Sequence, residues 1–202
     1  MYVTEASAGV SPISTCQTIM SSGSYELTQN LNHDGTNPPN GCLEVDADNV
    51  TIDLKGFTIT GSNTDVGIGS VGSQDGIVIR NGTIRGFTDG IDLDIENCQI
   101  EWMIVISNND DGMALANDCI VSNNIVNDNN STGLIVGVGS TLSNNIANNN
   151  GGIGMNITCP SNLVGNTAQG NLGSNLVQIG AGCKRYTTFS NTVPFLTLYG
   201  CL

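Results

Sequence analysis

The chain has 202 residues, a formal net charge of −13 and only 4% aromatic residues. This length predicts one domain that can bury a core. With only five lysines and arginines in all, the composition excludes nucleic acid and anionic membrane surfaces as partners, since both require a basic footprint. No run of 18 apolar residues occurs, so the sequence predicts no membrane insertion.

The chain opens with residues 1–40, which we interpret as an amino-terminal cap followed by the first strand. The opening stretch YVTEASAGV lacks the charged and apolar regions of a signal peptide, so we interpret the chain as a mature segment. A cap is expected because an open coil exposes unpaired strand edges. The single histidine, His33, lies in the polar loop LNHDGTNPPNG, and no G-x-S-x-G motif accompanies it. We therefore expect His33 to be solvated rather than catalytic.

Residues 41–180 form a body that repeats, over its second half, with a period of 21 residues. Each unit holds short β-type runs separated by Asn and Gly, and no segment shows sustained helical periodicity. A unit of this length suits one coil of a parallel β-helix, in which equivalent side chains stack about 4.8 Å apart. Parallel crossovers favour right-handed coiling. We predict an all-β fold, a right-handed parallel β-helix of about seven coils of about 21 residues with a cap at each end.

Five columns of equivalent residues carry this prediction. Aliphatic columns are expected to form continuous core ladders, and asparagine columns are expected to stack at two corners, where Asn tolerates left-handed backbone and bonds neighbouring main chain. The columns are Ile100, Val121, Leu142 and Leu163; Ile104, Ile125, Ile146 and Thr167; Met103, Asn124, Asn145 and Asn166; Asn108, Asn129, Asn150 and Asn171; and Gly112, Gly133 and Gly154.

Seven cysteines occur without a CxxC pair or a Cys/His zinc spacing. We predict disulfides near the chain ends, in a secreted or cell-surface protein, with at least one thiol left over. In the carboxyl-terminal part we expect either Cys159–Cys183 or Cys183–Cys201. Cys98 and Cys119 stack one coil apart, and we expect both to be free and buried, because parallel side-chain vectors suit a bridge poorly.

The last segment, residues 181–202, is richer in aromatic residues than the rest, with Tyr186, Phe189, Phe195 and Tyr199. We interpret it as a carboxyl-terminal cap. The alternative is a subunit contact, which would make the protein a homo-oligomer rather than a monomer.

Three motifs near the start have a counterpart in known proteins: a Cys before TI, the strand GSYELTQNL, and GCLEVDADNVTIDLKGFTITG. From Ser14 to Asn175 the chain resembles the secreted right-handed β-helix proteins of bacteria and archaea, in the pectate-lyase-like superfamily. The resemblance implies the fold, and it implies that Cys16 and Cys42 clip the first strand onto the next. It implies no single activity, because that superfamily contains lyases, hydrolases, epimerases, phage spikes and adhesins.

The acids of FTDG and NNDDG are the candidate catalytic residues. Asp110 and Asp111 follow Asp89 by 21 and 22 residues, and this pattern resembles the polygalacturonase-type glycoside hydrolases. The resemblance implies that the three carboxylates supply the acid and base of an inverting reaction on a polysaccharide. The family's G-H-G and R-I-K motifs are missing here, and Thr132 stands at its histidine position.

A structural interpretation of the same acids competes with catalysis, and we favour it. Asp-Gly recurs at 75–76, 89–90 and 111–112, each time before an apolar strand. Asp favours turns and Gly permits positive φ, which accounts for the dipeptide without any chemistry. A third interpretation is an acidic strip that binds carbohydrate or Ca²⁺; no other cofactor and no metal cluster is predicted.

Three further residues are candidates for substrate binding. Arg80 and Arg85 lie five residues apart, but no Lys or His in the repeats joins them as a lyase would require. Trp102 takes the place of an asparagine in its column; pointing inward it is core, which we favour, and pointing outward it is a platform for stacking a sugar. Thr does not recur at the 21-residue period, so the regular rank of an ice-binding face is missing. The sequence thus favours an extracellular, non-catalytic module for surface display or glycan binding, with a polysaccharide-active glycoside hydrolase as the alternative.

Overall fold

The computed structural model describes residues 9–186 and 198–199. Parallel strands coil into a β-solenoid of about seven turns spaced by about 21 residues, which confirms the predicted architecture. The described residues contain no helix, and so none that could cross a membrane. Most of the carboxyl-terminal segment expected to be a cap or a subunit contact lies outside the described residues.

The strands stack into three parallel faces, which we call face 1, face 2 and face 3. β9 (Val78–Arg85) and β11 (Gln99–Ile106) each contribute their first half to face 1 and their second half to face 2. The other strands of face 1 are β1 (Ser11–Ile13), β3 (Gly23–Leu27), β6 (Val50–Asp53), β13 (Ile120–Ser122), β16 (Thr141–Ser143), β19 (Asn162–Val164) and β22 (Lys184–Tyr186). Those of face 2 are β4 (Leu31–Asn32), β7 (Thr58–Thr60), β14 (Ile125–Asn127), β17 (Ile146–Asn148) and β20 (Thr167–Gln169). Face 3 consists of β2 (Gln17–Ile19), β5 (Gly41–Val45), β8 (Val66–Ser70), β10 (Asp89–Leu93), β12 (Met113–Leu115), β15 (Leu134–Val136), β18 (Met155–Thr158), β21 (Leu176–Ile179) and β23 (Leu198–Tyr199).

Residues with left-handed backbone mark the corners where one face turns into the next. All but three of them are Asn, Asp or Gly, the types that tolerate this conformation. The first corner, between faces 1 and 2, has Asn81, Trp102, Asn123, Asn144 and Gly165; the second, between faces 2 and 3, has Gly86, Ser107, Asp128, Asn149 and Gly170; the third, before the next coil, has Asn49, Gly76, Asn97, Asp118 and Gly139. The exceptions are Trp102, Ser107 and Lys55, which lies between β6 and β7.

Aliphatic side chains that alternate inward along each face form the core. The predicted ladder of Ile100, Val121, Leu142 and Leu163 is fully buried on face 1. Each such side chain contributes about 1.5–3 kcal/mol through the area it removes from water. The second predicted ladder is wrong as a core element: Ile104 and Ile146 point outward from face 2, and Val126 and Ala147 line the interior instead.

The two predicted asparagine ladders are present and lie inside the first and second corners. In the first, Asn124 Nδ2 donates to Asn145 Oδ1 at 3.0 Å, and Asn145 Nδ2 donates to Asn166 Oδ1 at 2.9 Å. The second runs through Asn108, Asn129, Asn150 and Asn171 with the same pattern. Each oxygen also accepts the backbone N–H of the preceding ladder residue, so the ladders satisfy polar groups that the corners would otherwise bury unpaired.

The third corner has a different ladder, and it corrects one prediction about cysteines. Cys98 and Cys119 are not free thiols: they form a disulfide, with Cα atoms 4.5 Å apart. This separation lies within the range a disulfide permits. Below them the column continues as Ser140 and Ser161, where Cys119 N donates to Ser140 Oγ and Ser140 N to Ser161 Oγ. Stacking at a corner therefore brings the two sulfurs together, where we had expected parallel side chains to keep them apart.

The other two disulfides confirm predicted pairs. Cys16 is bonded to Cys42, and Cys159 is bonded to Cys183. The alternative partner, Cys201, lies outside the described residues. All three bridges join successive coils, which fits a protein of an oxidising compartment.

Candidate functional site

The candidate catalytic acids lie where the chain enters face 3. Asp89 begins β10, and Asp111 stands at the equivalent place one coil later, since Ile91 pairs with Met113. Asp89 Oδ1 accepts the backbone N–H of Asp111 at 2.9 Å, and Asp111 Oδ1 accepts that of Thr132 at 2.7 Å. Asp110 is exposed, and its carboxylate takes no part in this pattern. Two of the three acids thus act as rungs that join successive coils.

Burial, reinforced by repulsion among neighbouring carboxylates, is the main electrostatic feature of this region. Burial raises the pKa of Asp89; the hydrogen bond from Asp111 N opposes this, and the charges of Asp110, Asp111 and Asp92 add to it. Partial burial, together with Asp94 and Asp111, also raises the pKa of Asp92. Sequence reasoning missed Asp92 and Asp94, although the alternating spacing of DGIDLD signals acids on the outer side of one strand.

The glycines after Asp89 and Asp111 are explained by packing rather than by turn geometry. Neither Gly90 nor Gly112 has positive φ, which corrects the expectation for these two positions; only Gly76 has it. A Cβ on Gly112 would lie 2.3 Å from Val126 Cγ1 and 2.5 Å from the backbone oxygen of Gly133. Glycine is needed there because Val126, the backbone of the next coil and Asn129 of the second ladder, whose Nδ2 would lie 2.7 Å away, leave no room for a side chain.

The acidic strip is not arranged as a calcium site. Within the part of the chain that the structure describes, no group of three or more His, Cys, Asp or Glu side chains could hold a metal ion. Instead, Asp89 and Asp111 accept hydrogen bonds from backbone N–H groups, and the carboxylates of this region repel each other.

Replacing Asp89 tests this interpretation. Asp89→Asn keeps the acceptor for Asp111 N and removes the repulsion, so we expect the variant to be at least as stable as the parent at pH 7. Asp89→Ala leaves that N–H unpaired and should be about 1 kcal/mol less stable than Asp89→Asn.

The pH dependence has a definite sign. Because the folded-state pKa of Asp89 is raised, the folded chain binds this proton more tightly than the unfolded chain. Its contribution to stability is therefore present at low pH and is lost as the pH rises from about 4 through the raised pKa. Thermal unfolding between pH 3 and pH 7 should show a shallower decline for Asp89→Asn. An unchanged slope would contradict the assignment.

The two arginines lie on different faces and do not form one site. Arg80, on face 1, has its Nε 3.0 Å from Asp53 Oδ2, and it pairs in register with Asp53 on one side and Glu101 on the other. Arg85 lies on face 2 with Thr60 Oγ1 3.5 Å from its Nε. Arg80 is neutralised by its acidic neighbours, which limits it as a binder of an anionic ligand, whereas Arg85 is exposed and contacts only a neutral hydroxyl.

Trp102 points outward, which corrects the interpretation that it belongs to the core. Its side chain is 59% exposed at the first corner, and its φ is 56°. The same column holds Asn81 and Asn123, both also with positive φ. Asn and Gly at the equivalent positions were the signal that this column is the outer side of a corner. The adjacent residue Glu101 pairs with Arg80, so the indole lies beside the charged row of face 1.

The single histidine is buried rather than solvated, which corrects another expectation. The side chain of His33 is 1% exposed, Nε2 lies 3.3 Å from Asp65 Oδ2, and the ring stacks on Phe87. Nδ1 is buried and has no hydrogen-bond partner among the described residues, so no serine or threonine hydroxyl completes a triad. His33 packs the amino-terminal coils together.

Comparisons with known proteins identify neither a family nor a relative for this chain. No family model matches the sequence, and no curated protein matches it.

Proposed function

We propose that the protein is an extracellular, non-catalytic β-solenoid module that binds a glycan, with Trp102 as the platform on which a sugar ring stacks. Three disulfides along a short coil support an oxidising, extracellular environment. An exposed indole offers a large apolar surface and a polar N–H edge, which suits the apolar face and the hydroxyl groups of a sugar.

The observation that carries the proposal is the backbone of Trp102. A bulky side chain at φ 56° is strained by about 1–2 kcal/mol relative to Gly or Asn. The other described members of the column, Asn81, Asn123, Asn144 and Gly165, are all residues that relieve this strain. Exposing the tryptophan at 59% adds no core packing in return. Strain without a structural benefit is typical of a residue kept for binding.

The decisive variant is Trp102→Asn, which installs the residue of the neighbouring coils. We expect it to raise the free energy of unfolding by up to about 1 kcal/mol, because the left-handed conformation is relieved, and to abolish glycan binding. Glycan-array binding and thermal unfolding measure the two effects. A gain in stability combined with a loss of binding separates function from folding.

Ile120→Asn is the matched control, since Ile120 is 50% exposed on face 1 and lies away from the first corner. It removes a comparable apolar side chain and should leave binding intact. If Trp102→Asn binds the same glycans as tightly as the parent protein, Trp102 is not the binding platform.

A glycoside hydrolase that uses Asp89, Asp110 and Asp111 is the second candidate. The raised pKa of Asp89, caused first by burial and then by its acidic neighbours, favours it, because a general acid must hold a proton near neutral pH. The engagement of Asp89 and Asp111 by backbone N–H groups favours the structural role. If the parent protein releases reducing ends from the glycans that it binds on the array, and each Asp→Asn variant loses this activity, the protein is an enzyme. If the parent binds glycans without cleaving them, the binding module is the correct interpretation.

A further inference from the structure

The outward side of face 2 has a composition that sets it apart from the rest of this acidic protein. Its two outward columns contain no carboxylate and a single cation, Arg85, although the whole chain carries 18 acids. The columns are Thr58, Thr83, Ile104, Ile125, Ile146 and Thr167, and Thr60, Arg85, Ile106, Asn127, Asn148 and Gln169. The nearest acid of the adjoining second corner, Asp128, lies outside both columns.

The first column forms an apolar row at its centre. Ile104 is 39% exposed and Ile146 is 36% exposed, and Ile125 stacks between them. Because the strands are parallel and in register, this row follows the solenoid axis with a step of about 4.8 Å. It begins next to Trp102, which stands at the first corner on the same coil as Ile104.

The second column supplies polar groups beside that row. Asn127 Oδ1 accepts the backbone N–H of Asn148 at 2.8 Å, and Asn148 Oδ1 accepts that of Gln169 at 2.9 Å. The amide nitrogens of Asn127 and Asn148 donate to no other residue in the described part of the chain. Each is held in place through its oxygen and leaves N–H donors for a ligand's hydroxyl oxygens.

The dimensions of the surface fit a narrow ligand. Six coils at about 4.8 Å and three residues at about 3.3 Å give roughly 30 by 10 Å, or about 300 Å². A stable protein partner needs about 800 Å² per side, so face 2 is too small for a second copy of the chain. A single polysaccharide chain is about as wide as the surface.

We propose that face 2 binds an uncharged polysaccharide chain laid along the solenoid axis, with sugar faces on Ile104, Ile125 and Ile146 and hydroxyl groups on the asparagine column. The inference rests on the glycan-binding function proposed above and identifies the class of glycan. A cationic ligand would find no carboxylate in either column, and an anionic chain would find only Arg85, one coil before Ile106, so most of its charges would lose water beside uncharged side chains. That loss costs free energy, whereas a neutral glycan has no charge to desolvate. The apolar row extends the contact beyond Trp102 by at least two coils.

The test measures binding of the parent and three variants to a soluble mannan and a soluble β-glucan as neutral glycans, and to polygalacturonate and chitosan oligosaccharides as charged ones. Ile146→Asp places a charge in the row two coils from Trp102, and Ile120→Asp places the same charge on face 1. The third variant is Trp102→Asn. Thermal unfolding of each variant confirms that it folds.

We expect the parent protein to bind a neutral glycan. Ile146→Asp should bind that glycan at least about tenfold more weakly, because its carboxylate must be desolvated on binding. Ile120→Asp should bind it as tightly as the parent does. Selection of a charged glycan, or unchanged binding by Ile146→Asp, overturns the role of face 2. If Trp102→Asn alone loses binding, the proposed function stands and this inference fails. No binding to any glycan overturns both.

Sedimentation equilibrium provides an independent check on the occupant of face 2. We expect a parent that is monomeric at micromolar concentrations. A dimer that Ile146→Asp dissociates and Ile120→Asp does not would identify face 2 as a contact between copies, and would overturn the inference.

Discussion

Asn145→Ala is expected to destabilise the protein by about 4 kcal/mol, a large part of the stability of a domain this size. The side chain of Asn145 makes four buried hydrogen bonds. Its Oδ1 accepts from the backbone N and the Nδ2 of Asn124, and its Nδ2 donates to Asn166 Oδ1 and to the carbonyl of Val121. Alanine leaves the backbone N–H of Asn124 without its acceptor and removes one buried hydrogen bond from each of the other three groups, although Asn124 Nδ2 keeps its bond to Ile100 O and Asn166 Oδ1 keeps that from Asn145 N. Four buried hydrogen bonds are lost, at about 1 kcal/mol each.

Urea unfolding measures this loss, and the neighbouring residue provides the control. Asn144 is exposed at the first corner with φ 55°, and glycine already occupies the equivalent position at Gly165. Asn144→Gly should therefore change the free energy of unfolding by less than about 1 kcal/mol. Similar losses in the two variants would mean that the ladder contributes no more than an ordinary corner residue.

Gly112→Ala is expected to cost about 3 kcal/mol or more, because overpacking beside rigid backbone has no cheap relief. The added methyl would lie 2.5 Å from the carbonyl oxygen of Gly133 and 2.7 Å from Asn129 Nδ2. Moving either atom opens the spacing between coils or breaks a rung of the second ladder. The same column holds Gly67, Gly90, Gly133 and Gly154, each with a Cβ contact under 3 Å, so the restriction recurs in consecutive coils.

Gly69→Ala is the matched control on the same face. A Cβ there would meet Val66 Cγ1 at 3.5 Å and the carbonyl oxygen of Asp92 at 3.6 Å, which are ordinary contacts. Alanine also restricts the unfolded chain, so we expect Gly69→Ala to be neutral or to stabilise by a few tenths of a kcal/mol. Equal melting temperatures for Gly112→Ala and the parent would show that the close approach at Gly112 is relieved at no cost.

The architecture could be predicted from the sequence because identical residues recur at the step of the coil. Asn124, Asn145 and Asn166 can stack only if each coil takes 21 residues, and that periodicity determines the positions of all the other columns. The orientation of Ile104 could not be predicted, because Ile104, Val105 and Ile106 are all apolar and alternation does not distinguish inside from outside. The hydrogen-bond network then decides which side of the strand faces the core.

The site could be predicted less well, since its residues depart from the repeat. Trp102 has no equivalent in neighbouring coils, so its orientation depends on one backbone angle rather than on a pattern. Cys98 and Cys119 stack as predicted, but the choice between a pair of thiols and a bond depends on the local path of the third corner. His33 lies in the irregular amino-terminal coils, where no period places it.

The direction of the asparagine ladders has a consequence for how such a chain can change length in evolution. Every rung accepts from the coil before it and donates to the coil after it, so each coil has the same connections above and below. When one 21-residue unit is duplicated or lost, the coils that become neighbours can form the same asparagine hydrogen bonds, and no buried polar group is left unpaired. An insertion of any other length between the two asparagine corners of one coil would break the register of a ladder, whereas an extra residue is accommodated where the chain enters face 3, as the 22-residue step from Ile91 to Met113 shows. Natural length variants within the ladder region should therefore differ by whole coils or by residues added outside the rungs.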